Sequence, residues 1–186
     1  MGKQFKTERA AQQQAHICQA LVALMEKQSY GEISVSGICV QADIPRRTFY
    51  YYFDSKEDVL SFLLDGVLKE CALESMLRTS RPEELAPSLT RFFRYWRDCR
   101  RRELTVLMRS GLEQELIMRC LRWVSSEQQW TQLVADYTEE ERSVSMLLGI
   151  TSVFYTLLHW CAREFRQSPE YMAACVARIL TTPLVK

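Results

Sequence analysis

ISVSGICVQADIPRRTFYYYFDSKEDVL, residues 33–60, holds two short helix signatures separated by turn chemistry. Ser34 is a favoured N-cap, and Val35, Ile38 and Ala42 behind it share one face of a short helix. Asp43 comes where the chain must turn, and it is one of the few non-glycine residues that tolerate a left-handed backbone. Pro45 suits the first turn of a second helix, where its missing N–H costs nothing. That helix carries Arg46, Arg47, Thr48, Tyr50 and Tyr52, whose guanidinium and hydroxyl groups bind phosphates and base edges. Phe49 and Phe53, one turn apart, are expected in the core together with Tyr51. The segment reads as a helix-turn-helix.

The run TFYYYFDSKEDVL (residues 48–60), with the apolar helix before it, resembles the N-terminal DNA-binding domain of the TetR family of bacterial transcriptional regulators. A threonine, two aromatics, a Tyr-Phe pair and a lysine opening the next helix stand in register, and the resemblance covers residues 8 to 65. Three positions depart from the usual pattern: Asp43 stands where a glycine is common, Pro45 where a capping residue is common, and Arg47 where a small residue is frequent. The first two bear on turn geometry, the third on base preference.

The resemblance implies a role for each matching residue. Arg46 and Arg47 open the recognition helix, where a guanidinium pairs bidentately with guanine. Thr48 meets a phosphate or a thymine methyl, Tyr50 and Tyr52 the backbone or thymine methyls, and Lys56 a phosphate. Ser34 and Ser36 add phosphate hydrogen bonds. The implied partner is a double-stranded DNA operator, a palindrome read by a homodimer, and the implied protein is a ligand-responsive repressor. The competing reading is a helical adaptor of the same fold that binds a protein; its mark is loss of the basic and tyrosine positions, which here are filled.

Composition sets the bounds. With 186 residues and a 47% hydrophobic share, the chain can bury a core for a small domain and a larger one. No uninterrupted apolar run approaches the roughly 18 residues a membrane span needs, and the polar N-terminus MGKQFKTERAAQQQ lacks an apolar signal region, so no membrane partner and a cytoplasmic location are expected. Net charge is only +1, but seven basic and five acidic residues up to Lys56 leave the head at +2. Lys3, Lys6 and Arg9 read either as a basic arm or as a solvated tail. Seven cysteines without a CxxC point to reduced thiols. Two separated histidines, His16 and His159, offer no zinc spacing, so no metal and no cofactor are expected. No nucleophile elbow, P-loop, dinucleotide fingerprint or HExxH is present, and no enzyme activity is expected.

Helical periodicity runs the length of the chain, and no segment alternates with period two over a strand length. The expected fold is all-α: a three-helix helix-turn-helix DNA-binding domain over residues 1–55, then a helical ligand-binding and dimerisation domain over 56–186. The first helix spans Thr7 to Gln28, with Ile17, Ala20, Leu21, Leu24 and Met25 inward. Ser55 caps a connecting helix over 56–77. TSRPEELAPS (residues 79–88), with Pro82 and Pro87, is the expected loop.

The later stripes and the resemblance together yield two residue sets. Small-molecule effectors of the resembled family bind in the C-terminal domain, where the candidate lining is Phe92, Tyr95, Trp96, Met108, Trp123, Phe154, Tyr155, Leu158 and His159; such a cavity suits a hydrophobic, aromatic or lipophilic cationic ligand. The last two helices are expected to form a four-helix bundle with a second subunit through Leu147, Leu148, Thr151, Phe154, Leu158, Cys175 and Ile179. Cys99 sits beside Arg97, Arg100, Arg101 and Arg102, a positive setting for a thiol.

Overall fold

A computed structural model describes residues 8–71, 82–126 and 136–181, and the described residues are helical without a strand. The expected all-α fold is observed. Among the described residues nine helices succeed one another: α1 (Glu8–Met25), α2 (Val35–Gln41), α3 (Arg46–Tyr52), α4 (Lys56–Glu70), α5 (Pro82–Arg94), α6 (Arg101–Arg109), α7 (Glu113–Ser126), α8 (Glu139–Ala162) and α9 (Pro169–Thr181). They fall into two compact units, Met1–Val67 with Thr105–Leu112, and Leu68–Leu104 with Glu113–Lys186. Most of α4 thus belongs with the reading head rather than with the second unit, where the sequence pattern places it.

In the first unit, Ile17, Leu21 and Met25 of α1 close over Ile33, Ile38, Phe49, Phe53, Val59 and Leu64, all buried. Burying this apolar surface is the main driving force for a unit of this size. α1 ends at Met25, one turn before Gln28, and a 3₁₀ turn over Tyr30–Glu32 leads into α2. The exposed His16 ties α1 to the far end of α2, its Nε2 lying 2.8 Å from the Ala42 carbonyl. Residues 72–77 of the expected connecting helix, 79–81 of the expected loop, and Lys3 and Lys6 lie outside the described residues.

The second unit is built on aromatic side chains. Phe92 lies edge-on to Phe93, Trp96 and Phe154, with ring centroids 5.4, 6.3 and 5.5 Å apart, and Phe93 meets Trp160 at 5.5 Å. Edge-to-face pairs of this kind add to the area they bury. The stretch expected as a loop is instead helical from Pro82, with Pro87 inside α5. Pro82 stands at the first helical position, and Pro87 removes one hydrogen bond near that end; the periodic Leu89, Phe92 and Phe93, all fully buried, hold the helix.

Two helices carry a π-helical turn, Tyr95–Cys99 at the end of α5 and Leu147–Thr151 within α8. The extra residue in such a turn rotates the two flanking helical stretches by roughly 100° relative to each other. Ile150, Val153, Phe154 and Leu157 accordingly face the core, while Val144, Leu147 and Leu148 face outward. α8 opens on a capping box, in which Glu141 N donates to Thr138 Oγ1 (3.2 Å) and Thr138 N to Glu141 Oε2 (2.8 Å). By length and apolar composition α8 is the one helix among the described residues that reaches membrane-spanning size. Its inner face is nevertheless the core of this unit.

Candidate nucleic-acid interface

The head is assembled by local rules. Ser34 caps α2, its Oγ accepting from Gly37 N at 3.1 Å, as its sequence position requires. Asp43 has φ 49°, the left-handed turn expected of it, and Ile44 N donates to Cys39 O at 3.0 Å to close the turn. Pro45 stands one position earlier than expected: with ψ 147° it is the N-cap of α3, and Arg46 is the first helical residue. Ser55 caps α4 through Asp58 N at 3.1 Å, and Asp58 returns a bond to Asp54 N at 3.2 Å.

Burial divides α3 into an inner and an outer face. Phe49 is fully buried and packs on Phe53 with centroids 6.1 Å apart, while Arg46, Arg47 and Tyr50 are exposed and Thr48 and Tyr52 half-buried. Tyr51, expected in the core, is 58% exposed and stacks edge-on against Tyr52 at 4.9 Å. The helix is only seven residues long, so its inward stripe is filled by Phe49 and completed by Phe53 beyond its end. Arg46 Nη2 donates to the Tyr50 hydroxyl at 3.3 Å, and this bond raises the guanidinium above its ordinary range, so Arg46 keeps its charge at any physiological pH.

Ser34 and Ser36 are exposed on α2, as their expected roles demand. A shallow groove beside them is lined by Ser36, Cys39, Val40, Asp43, Ile44, Pro45 and Arg46. Val40, which sequence reasoning passes over, is 82% exposed there. Burial pushes the buried Cys39 thiol up against the pull of the Arg46 charge, which keeps it a packed, unreactive group.

Lys56 has partners other than the expected phosphate. Its Nζ donates to the carbonyls of Tyr30 (2.9 Å), Gly31 (3.1 Å) and Ile33 (2.9 Å) and lies 4.7 Å from the centroid of the Tyr30 ring.

In the second unit the candidate lining residues separate. Phe92, Trp96, Phe154 and Leu158 are buried, with Tyr95 edge-on to Trp96 at 5.7 Å and Trp123 half-buried. Met108 falls in the first unit. Tyr155 and His159 are exposed on the outer face of α8, with the Tyr155 hydroxyl donating to Gln114 Oε1 at 3.2 Å. The indole N–H of the fully buried Trp96 and the hydroxyl of Thr151 have no hydrogen-bond partner among the described residues. Among the expected dimer residues, Leu147, Leu148 and Ile179 are exposed and Thr151 and Cys175 half-buried, whereas Phe154 and Leu158 lie in the core of the protomer. Tyr155 and Leu180 are exposed too, as are Val144 and Tyr171, apolar residues of α8 and α9 that the stripes do not single out.

No group of three or more His, Cys, Asp or Glu side chains capable of holding a metal occurs among the described residues. All seven cysteines are free thiols.

Residues 17–61, the span that contains the capped α2, the Asp43 turn and α3, match the family described as bacterial regulatory proteins, tetR family. Over these residues the chain resembles the TetR family. Among curated relatives, the HTH-type transcriptional regulator EthR of Mycolicibacterium smegmatis is 44% identical over 59 residues, 28% of this chain and 27% of that protein. The HTH-type dhaKLM operon transcriptional activator DhaS of Lactococcus lactis is 41% identical over 54 residues, 29% of each. The chain therefore spans under a third of the length of these curated relatives. A solved structure of the transcriptional regulator FadR from Bacillus subtilis in complex with stearoyl-CoA shares the fold over 90% of this chain and 97% of its own, with TM-score 0.65 and 17% identity.

Proposed function

We propose that this chain is a sequence-specific DNA-binding transcriptional regulator of the TetR type that acts as a homodimer in the cytoplasm and responds to a small molecule. The observation that carries it is α3: a short helix anchored by Phe49 and Phe53, with Arg46, Arg47 and Tyr50 outward and nothing apolar to bury on that face. In this reading Arg46 and Arg47 contact base edges, Thr48, Tyr50 and Tyr52 contact backbone or thymine methyls, and Ser34 and Ser36 contact phosphate.

The exposed Leu147, Leu148 and Ile179, with Val144, Tyr171 and Leu180, supply the apolar face for a second copy. A two-fold dimer sets two recognition helices about one DNA turn, roughly 34 Å, apart or a multiple of it, so that each reads half a palindrome. The effector is taken up in the second unit beside Phe92, Trp96 and Phe154, where the unpartnered Trp96 N–H suits a ligand with an oxygen acceptor on an apolar body. It acts as a population shift: a molecule that prefers the state with wrongly spaced heads releases DNA, and affinity alone without that preference changes nothing.

The test is selection from a random double-stranded DNA library followed by fluorescence anisotropy at two salt concentrations. A palindromic consensus, bound far more tightly than shuffled DNA and with a steep salt dependence, is the expected result. Recovery of no consensus, with equal binding to shuffled DNA, overturns the reading.

A further inference from the structure

We propose that Lys56 is a positioning residue for the reading head and not one of its phosphate contacts. An ammonium group has three N–H donors and no acceptor. Here three carbonyls, of Tyr30, Gly31 and Ile33, converge on it at 2.9–3.1 Å, and the Tyr30 ring lies 4.7 Å away. Every donor is satisfied, so a phosphate oxygen gains a bond only by displacing one of these carbonyls.

The three carbonyls belong to the link between α1 and α2, and the last of them, Ile33, directly precedes the α2 cap. The other side of this link is closed by Ser29, whose N and Oγ donate to Glu32 Oε2 at 3.2 and 2.9 Å. Ser29 and Glu32 fold the turn upon itself. Lys56, 23 to 26 residues further on, fastens it to α4. Charge-assisted bonds of this kind are short and stiff. The start of α2, and through it the α2–α3 pair, therefore takes its place from the first residue of α4.

The consequence is mechanical. α4 is the helix that runs out of the first unit, whose stretch ends at Val67 while α4 continues to Glu70. A displacement of its first turn is handed to the start of α2 through the Lys56 ammonium. The inference deepens the regulator reading and rests on it only for its DNA consequence; the clamp itself is testable without DNA.

The experiment compares wild type with Lys56→Met, which keeps chain length and removes every donor, and Lys56→Gln, which restores an amide donor without charge. Hydrogen exchange is followed at Gly37 and Ile38, whose N–H groups bond to Ser34, against Leu21 and Val22 of α1 as reference. Affinity for the DNA selected by wild type is measured across a salt series. Exchange at Gly37 and Ile38 is expected to rise about tenfold or more in Lys56→Met and less in Lys56→Gln, with the α1 amides within about twofold of wild type. DNA affinity is expected to fall about tenfold with an unchanged log–log salt slope. A direct phosphate contact would instead lower the slope by about 0.9 per head, or about 1.8 for a dimer. That drop, with exchange at Gly37 and Ile38 unaltered, overturns the proposal. Should Lys56→Met fail to fold, Lys56→Gln decides through the same two readouts. Should wild type select no DNA, the regulator reading fails and the exchange result still settles the clamp.

Discussion

Arg46 and Tyr50 form a pair on the open face of α3: Nη2 donates to the hydroxyl at 3.3 Å, and the guanidinium carbon lies 5.9 Å from the ring centroid. One turn apart on a short helix, they hold each other in one orientation, which lowers the rotamer entropy that an exposed arginine loses on meeting a base. Arg46→Ala is expected to relax preference at one base pair of each half-site about tenfold or more, leaving the other positions as they were. Tyr50→Phe should relax the same position by a smaller factor. Competition binding with single-position DNA variants checks both, and equal weakening across all positions would remove Arg46 from the base-reading set.

Arg100 is a heavily bonded side chain of the second unit's polar rim. Nε donates to the Tyr95 hydroxyl at 3.0 Å, Nη1 to Glu103 at 2.9 Å and Nη2 to Glu70. Arg94 by contrast meets Glu170 in the open, Nε to Oε1 at 2.8 Å. Arg100→Ala is expected to destabilise by about 1–2 kcal/mol, a figure already discounted for the partial exposure of the group. Arg94→Ala should leave the urea midpoint unchanged, since exposed pairs are screened and their side chains disordered by entropy. A larger loss at Arg94 than at Arg100 would contradict this ranking.

Tyr95 supplies a pH dependence. Burial pushes its phenol up to about 12, overcoming the opposite pull of the Arg100 charge, while Glu70 and Cys71 add to the rise. The folded state thus holds this proton more tightly than the unfolded chain, whose tyrosines ionise near 10. The stability from this group is complete below pH 10 and is lost as pH climbs through the interval up to about 12. Tyr95→Phe should flatten the fall of unfolding free energy across that interval, measured by urea titration at several pH values. An unaltered alkaline slope would disprove the assignment.

Phe154 and Leu148 both belong to α8 and answer different questions. Phe154 is fully buried between Phe92 and Trp96, so Phe154→Ala should cost about 3–5 kcal/mol through the cavity it leaves. Leu148 is 68% exposed. Leu148→Asp should leave helix content and thermal midpoint of the protomer intact yet shift the molecular mass in sedimentation equilibrium from dimer to monomer. A dimer that survives this change, and the same change at Leu147, would move the subunit interface elsewhere.

Thiol labelling separates the cysteines by burial. Cys99 is exposed, Cys175 half-buried and the other five buried, with burial pushing the Cys18 thiol up to about 12. Cys99 should react first with a disulfide reagent at pH 8, Cys175 more slowly, and Cys18, Cys39, Cys71, Cys120 and Cys161 only on unfolding. Peptide mapping by mass spectrometry reads the order.

The head is legible in the chain because its rules are local. A serine cap, a residue able to take φ 49° at Asp43 and the Phe49–Phe53 spacing each act within a few residues, and chain order alone displays them. All-helical character is equally plain in the periodicity of the later segments. Three features are settled only by tertiary structure. Pro82 and Pro87 read as loop chemistry, but burial of Leu89, Phe92 and Phe93 outweighs one lost backbone bond and makes the stretch helical. A π turn at Leu147–Thr151 shifts the phase of α8, so a stripe counted at 3.6 residues per turn assigns Phe154 and Leu158 to an interface when they are core. Lys56 reads as a phosphate contact from the resemblance, and only the long-range return of α4 onto residues 30–33 brings three carbonyls to its ammonium. The sequence by itself determined the helical character, the local conformation of the head and the candidate DNA-reading residues; which side each helix turns inward, and which charge is already satisfied, depends on contacts between residues far apart in the chain, and those exist only in the folded molecule.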